Sequence, residues 1–313
     1  MQDTSPPAAP IESAAPAKTG EITQLKGTSQ VAPFLSGGGR IAFASDRDGT
    51  LDIYVLDADT GRMTRLTRTT QHDSGPTWSP DGTQIAFMSE QDGNHDIYLM
   101  DTDGSNLTRL TDDPANEHGA AWSPDGARIA FVSDRAGSLD IYLMDSDGSH
   151  VTPLTDNPAS DANPAWSPDG TQIAFASDRG GSLDIYVMDA DGSHVSRLTD
   201  DPAQDVDPAW SPGGQRIVFI STRADPNPDN MSSSANWEIY SMEADGSNPV
   251  RLTDHPASDM AARWSPDGNQ IIFVSTRDGD FRIYVMDADG SHQARLTQDS
   301  ALEESPAWLA AWR

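Results

Sequence analysis

Residues 166–209 read WSPDGTQIAFASDRGGSLDIYVMDADGSHVSRLTDDPAQDVDPA, and almost everything from Phe34 onward is a copy of this stretch. Trp78, Trp122, Trp166 and Trp210 recur every 44 residues, Trp264 follows after 54 and Trp308 after another 44. The step before Trp78 lands on Phe34, so the chain holds six units, the fifth carrying an insertion of ten residues. A fixed period of roughly 40 to 45 residues is that of a propeller blade.

The interior of the unit excludes helical repeats. Residues 171–177 (TQIAFAS) and 183–188 (LDIYVM) are short β-branched and aromatic runs with period-two alternation, and residues 194–198 form a shorter third run. The segment around Pro164, Ala165 and Trp166 supplies a fourth strand. Between the strands stand Ser167-Pro168-Asp169-Gly170, Arg179-Gly180-Gly181 and Asp191-Gly192-Ser193. Asp-Gly pairs tolerate the positive φ that tight hairpins demand. Each unit is therefore expected to be a four-stranded antiparallel meander that must stack on its neighbour to bury its faces. The predicted fold is all-β, a six-bladed β-propeller, whose closed ring leaves no long sheet edge.

The motifs WSPDG-x-x-IAF, S-D-R, DIY-x-MD-x-DGS and RLT resemble the TolB-like propeller repeat, a WD-like blade, from Phe34 to Trp308. The resemblance implies the fold and a bacterial envelope, periplasmic or extracellular setting. Function does not follow from it, because such scaffolds host binding modules and enzymes alike. TolB itself carries an α/β domain before its propeller, and the tail here is expected not to encode one.

The formal net charge is -29, and Lys occurs only at Lys18 and Lys26. Such a field disfavours nucleic acid and anionic membrane surfaces as partners. Much of the acid sits in turns, at Asp81, Asp125, Asp169 and Asp267 and in the Asp-x-Asp-Gly hairpins. Cysteine is absent, which excludes disulfides, thiolate zinc sites and a cysteine nucleophile. No apolar run is long enough for membrane insertion. Residues 1–20, rich in Pro, Ala and Ser, read as a disordered tether, and residues 21–313 as the propeller, with the insertion at 224–236. Glu21 to Leu25 resembles the short outer run of a blade. Residues 305–308 (SPAW) form a good first strand with no blade behind it, while the first unit, residues 40–67, lacks one. The C-terminal strand is thus expected to complete the first blade.

In a meander of this order the second-to-third and blade-to-blade loops open on one face, and the SPDG and DGS turns on the other. The turn face is nearly constant between units and the loop face varies, so function is expected among the loops. One position there keeps its charge. Five residues before each Trp stand Asp73, Glu117, Asp161, Asp205, Asp259 and Glu303, which ring closure would gather at one mouth of the channel. Six like charges bind a cation such as Ca²⁺ or are neutralised singly, and Arg47, Arg135, Arg179, Arg223 and Arg277 recur in the same loops. Both readings stay open.

Blade two departs from the pattern with Ser89-Glu90-Gln91 in place of Ser-Asp-Arg, so Glu117 or its neighbour is expected to lack the usual partner. Around it the face gathers His72, His95 and His118, which with Glu90 and Glu117 have the donor types of a divalent-metal site or a general base. His150, His194 and His292 follow DGS turns on separate blades of the opposite face and are not expected to cluster. The insertion lies opposite blade two, with Asn230 and Trp237 as candidate ligand contacts. No G-x-S-x-G elbow, serine triad or phosphate loop is legible. Taken together these features point to a monomeric binding module with a protein, peptide or small-molecule ligand. The alternatives are a metal-dependent lyase or hydrolase centred on blade two, and a purely structural repeat protein.

Overall fold

The computed structural model describes Leu35 and residues 39–227, 235–298 and 300–309. The expectations for residues 1–20, for Glu21 to Leu25 and for Asn230 fall outside them. Six four-stranded antiparallel sheets form the blades, and the described residues contain no helix. In the fourth blade the strands run Asp161–Trp166, Gln172–Ser177, Asp184–Asp189 and Ser196–Arg197, from the innermost to the outermost. Residue pairing places Phe175 opposite Tyr186, their ring centroids 5.9 Å apart, and every blade repeats this aromatic pair.

The chain's two ends close the ring. Glu303–Trp308 is the inner strand of the first blade and pairs with Arg40–Ser45, setting Ile41 against Trp308 and Ser45 against Glu303. The clasp expected from the unpaired SPAW segment is therefore present, and the innermost strands touch their neighbours all the way round.

The core lies between blades. Ala174 and Ile185 of the fourth blade pack with Ile217, Phe219, Tyr240 and Met242 of the fifth in one buried cluster, and similar clusters fill the other junctions. Each large apolar side chain so buried stabilises the ring by about 1.5–3 kcal/mol. Indole N–H groups add direction: Trp166 donates to the Ala121 carbonyl of the preceding blade, as do Trp210 to Ala165, Trp264 to Ala209 and Trp78 to Ala307, at 3.1–3.2 Å. The DGS turns also wedge into the preceding blade. At Gly246, with φ of +85°, a Cβ would lie 2.5 Å from the Leu198 carbonyl oxygen, so only glycine fits.

Every inner strand carries a bulge. In the fourth blade the register shifts between Ala162 and Ala165, and Asn163 takes a left-handed conformation with φ of +54°. Gly75, Gly119, Asp207, Ala261 and Ser305 do the same in the other blades. The bulge follows the second residue of each inner strand, which stands one step from the buried acid that starts the strand and is half-buried in every blade.

Candidate ligand-binding face at the channel mouth

Each inner strand begins on the loop face with one of the six acids, and all six side chains are fully buried, beneath the mouth surface. In the fourth blade Arg179 Nη2 lies 2.8 Å from both oxygens of Asp161, and its Nε donates to Ser177 Oγ at 2.9 Å. The guanidinium stands 5.0 Å from the Tyr186 ring centre and 5.2 Å from that of Phe175, within range of a cation–π contact. Arg47 with Glu303 at 2.7 Å, Arg135 with Glu117 at 3.0 Å, Arg223 with Asp205 at 2.6 Å and Arg277 with Asp259 at 2.8 Å repeat the arrangement. A charge removed from water needs such a partner, because desolvation alone would drive the carboxyl to its neutral form.

Blade two lacks the arginine, and the acid affected is Asp73 of the same blade, since Glu117 meets Arg135 and Ser133 in blade three. Asp73 receives the Thr69 hydroxyl on Oδ2 at 3.0 Å, while Oδ1 has no hydrogen-bond partner. Burial pushes its pKa above the usual carboxylate range, the hydroxyls of Ser89, Thr67 and Thr69 opposing and the charge of Asp52 assisting. Burial is also the main cause of the upward shifts at Glu117 and Asp205, against which their arginines act.

A second set of buried acids lies two strands further out, at the start of the DIY segments. Asp52, Asp96, Asp184 and Glu238 are fully buried and meet Arg65, Arg109, Arg197 and Arg251 of the RLT strands at 2.6–2.8 Å. The threonine of RLT completes the lock: Thr199 Oγ accepts the Ile185 N–H at 2.9 Å and donates to Asp184 Oδ1 at 3.4 Å. Sequence reading passed over this set, although the recurrence of Asp and Arg thirteen residues apart was a usable signal. Two blades depart from it. Pro153 replaces the arginine beside Asp140, and in the sixth blade Arg282 replaces the acid and donates to the carbonyls of Ala301 at 2.7 Å and Ser300 at 2.9 Å.

The histidines around blade two lie on different elements, His95 just before the third strand of blade two and His118 in the inner strand of blade three. His95 Nε2 is 3.0 Å from Glu90 Oε1, whereas His72 is exposed and interacts electrostatically with Glu304, whose carboxyl is pushed up by burial. His118 is held below the ordinary imidazole range by burial and then by His95, with Asp134 opposing. Glu117 is turned away from them toward Arg135. Among the described residues no group of three or more His, Asp or Glu side chains is placed to hold a metal ion.

At the fifth position of the inner strands stand Thr77, Ala121, Ala165, Ala209, Arg263 and Ala307. Arg263 reaches across a blade boundary to Asp207 with two contacts of 2.7 and 2.9 Å, an ion pair that sequence reading missed although Arg replaces Ala before Trp264. Trp237 is half-buried against the cluster between blades five and six, and its backbone carbonyl accepts the Asp259 N–H at 2.8 Å. On the opposite face His150, His194 and His292 each place Nδ1 2.7 Å from an aspartate of their own turn. The neighbouring serine hydroxyl meets that same nitrogen, which is not the two-nitrogen relay of a catalytic triad.

The family model described as the TolB beta propeller domain matches residues 9–120, 72–162 and 229–311, and that of the Tricorn protease N-terminal beta propeller domain matches residues 137–236. No curated protein matches the chain. Among solved structures, TolB from Acinetobacter baumannii is similar over 87% of this chain and 67% of its own, at 24% identity and a TM-score of 0.71. A structure designated TolB from Agrobacterium tumefaciens is similar over 84% of this chain and 90% of its own, at 26% identity and a TM-score of 0.66. An oligogalacturonate lyase from Vibrio parahaemolyticus, 15% identical with a TM-score of 0.57 over 83% of this chain and 74% of its own, shares the fold. With its family model matching more than half of its length and six blades built on the same repeat, the chain belongs to the TolB beta-propeller family.

Proposed function

We propose that this propeller is a non-catalytic recognition module that presents its channel-mouth face to a peptide segment of a protein partner, outside the cytoplasm. One observation carries the reading: the two faces rest on the same blade frame but treat their side chains oppositely. On the turn face Ser-Pro-Asp-Gly recurs in four blades and Ser-Pro-Gly-Gly in a fifth. At the mouth-side start of the inner strands the second residues are Ser74, His118, Ala162, Val206, Met260 and Glu304, different in every blade, each half-buried and next to a fully buried acid. Side chains that differ on a frame already rigid lose little freedom on binding, so they discriminate between ligands at low entropic cost. The family resemblance supports the extracytoplasmic setting.

The test is selection of a random-peptide display library on the immobilised propeller. Enriched peptides are expected to lose binding at least tenfold to His118→Ala and Glu304→Gln and to keep it with His150→Ala and His194→Ala. Equal loss on both faces, or no enrichment, would overturn the assignment.

A further inference from the structure

Five blades contain the same niche, filled each time by the blade's own arginine. Its floor is a Phe–Tyr pair, its end a fully buried carboxylate, and a serine hydroxyl accepts Nε. The guanidinium stands 4.7–5.0 Å from the tyrosine ring centre in all five. These arginines are 14–23% exposed, so the niche is open to solvent on the mouth face.

Blade two builds the same niche without its cation. Phe87 and Tyr98 lie with ring centroids 6.0 Å apart and planes tilted by 33°, and among the described residues no guanidinium stands over them. Ser89 Oγ receives the Gln91 N–H at 3.4 Å where the other blades add an arginine Nε. Asp73 is fully buried with Oδ1 unpartnered. Glu117 and Asp205 also leave one oxygen unpaired, but in both the other oxygen holds an arginine. Gln91, shorter and uncharged, is half-buried and hydrogen-bonds Tyr98.

We propose that the blade-two niche formed by Asp73, Ser89, Phe87 and Tyr98 is a binding site for a guanidinium group supplied from outside, the arginine side chain of a partner peptide. A planar cation that stacks on the rings and donates to both carboxylate and hydroxyl matches the five filled copies, whereas an ammonium offers a point charge without the stacking plane. The net charge of -29 draws such a cation toward the protein. Gln91 must swing aside to admit it. The inference deepens the proposed reading of the mouth face by naming one recognised group.

The test is thermal unfolding with low-millimolar methylguanidinium chloride against equal sodium chloride, followed by the capped peptide acetyl-Gly-Arg-Gly-amide. The wild-type melting temperature is expected to rise saturably with both, because a ligand that binds only the folded state stabilises it. Propylammonium should act at least several-fold more weakly. Gln91→Arg, which fills the niche from within, should melt higher and no longer respond, and Asp73→Asn should lose the response. Arg179→Gln empties the copy in blade four and should gain a response larger than that of wild type. A flat wild-type curve, or the same rise in Gln91→Arg, overturns the site, and a response to methylguanidinium without one to the peptide overturns the partner arginine. If peptide enrichment on the mouth face survives either result, only this inference falls.

Discussion

Removing Arg179 tests what the buried ion pairs contribute. In Arg179→Met the side chain still reaches over Phe175 and Tyr186, but Asp161, fully buried, loses both 2.8 Å contacts. Breaking a buried pair from one side costs about 3–5 kcal/mol, because the remaining charge is stranded. Arg179 is 23% exposed, and water screens the pair in part, so the lower end of that range, about 3 kcal/mol, is expected. In Asp161→Asn/Arg179→Met no charge is left behind, and the double variant should be more stable than the sum of the single losses predicts, by about 1–3 kcal/mol. The stranded acid also has a pH signature. Without its cation Asp161 resembles Asp73, whose pKa burial raises. A carboxyl with a raised folded pKa favours folding when protonated and loses that advantage as pH rises from the unfolded value through the folded one. The Arg179→Met defect should therefore be largest at neutral pH and shrink toward pH 4, near the ordinary aspartate range. Urea unfolding of the four proteins at both pH values reads all of this out. A single-variant loss below about 0.5 kcal/mol, or strict additivity, would show that the pair does not carry the charge it buries.

Further outcomes follow from the same geometry. Gly246→Ala should cost about 2 kcal/mol more than Gly170→Ala, since both need positive φ but only Gly246 faces a backbone oxygen at 2.5 Å, and comparable urea midpoints would refute the wedge. Ala261→Gly should stabilise by up to about 1 kcal/mol, because alanine at a φ of +52° is strained in a way glycine is not, and a destabilised variant would count against that strain. His118 is buried enough to hold its pKa below the usual imidazole value, so stability present above about pH 6.5 is lost as pH falls, and His118→Gln should flatten the melting profile between about pH 7 and 5. Five of the six inner acids are already matched by arginine, so Ca²⁺ should raise the melting temperature no more than an equal ionic strength of sodium chloride does, and a saturable rise lost in Asp161→Asn would reverse this.

The repeat, the blade's four strands, its turns and the closing strand were all legible in the chain, because each depends on local pattern: period-two alternation, Asp-Gly turns and a fixed spacing of tryptophans. The acid at the head of each inner strand was legible as a recurring charge, and so was the arginine of the same blade. What they do together was not. Strand register brings Asp161 and Arg179 into contact, and in the first blade the partners Arg47 and Glu303 are 256 residues apart. The aspartates of DIY stand out in the sequence only as part of a strand motif, and their burial and pairing with the RLT arginines come from the folded blade. Asp73 illustrates the limit, since Gln91 announced a missing partner but the pairing within blades decided which acid was left without one. His72, His95 and His118, neighbours in the one-dimensional pattern, do not converge with the nearby glutamates on a metal-holding group among the described residues, because strand placement, and not sequence spacing, sets where a side chain ends. Sequence by itself determined a ring of six similar blades through local propensity and period, while the tertiary structure alone decided which charges are buried, paired or left open, because those depend on contacts between strands and blades that no local pattern encodes.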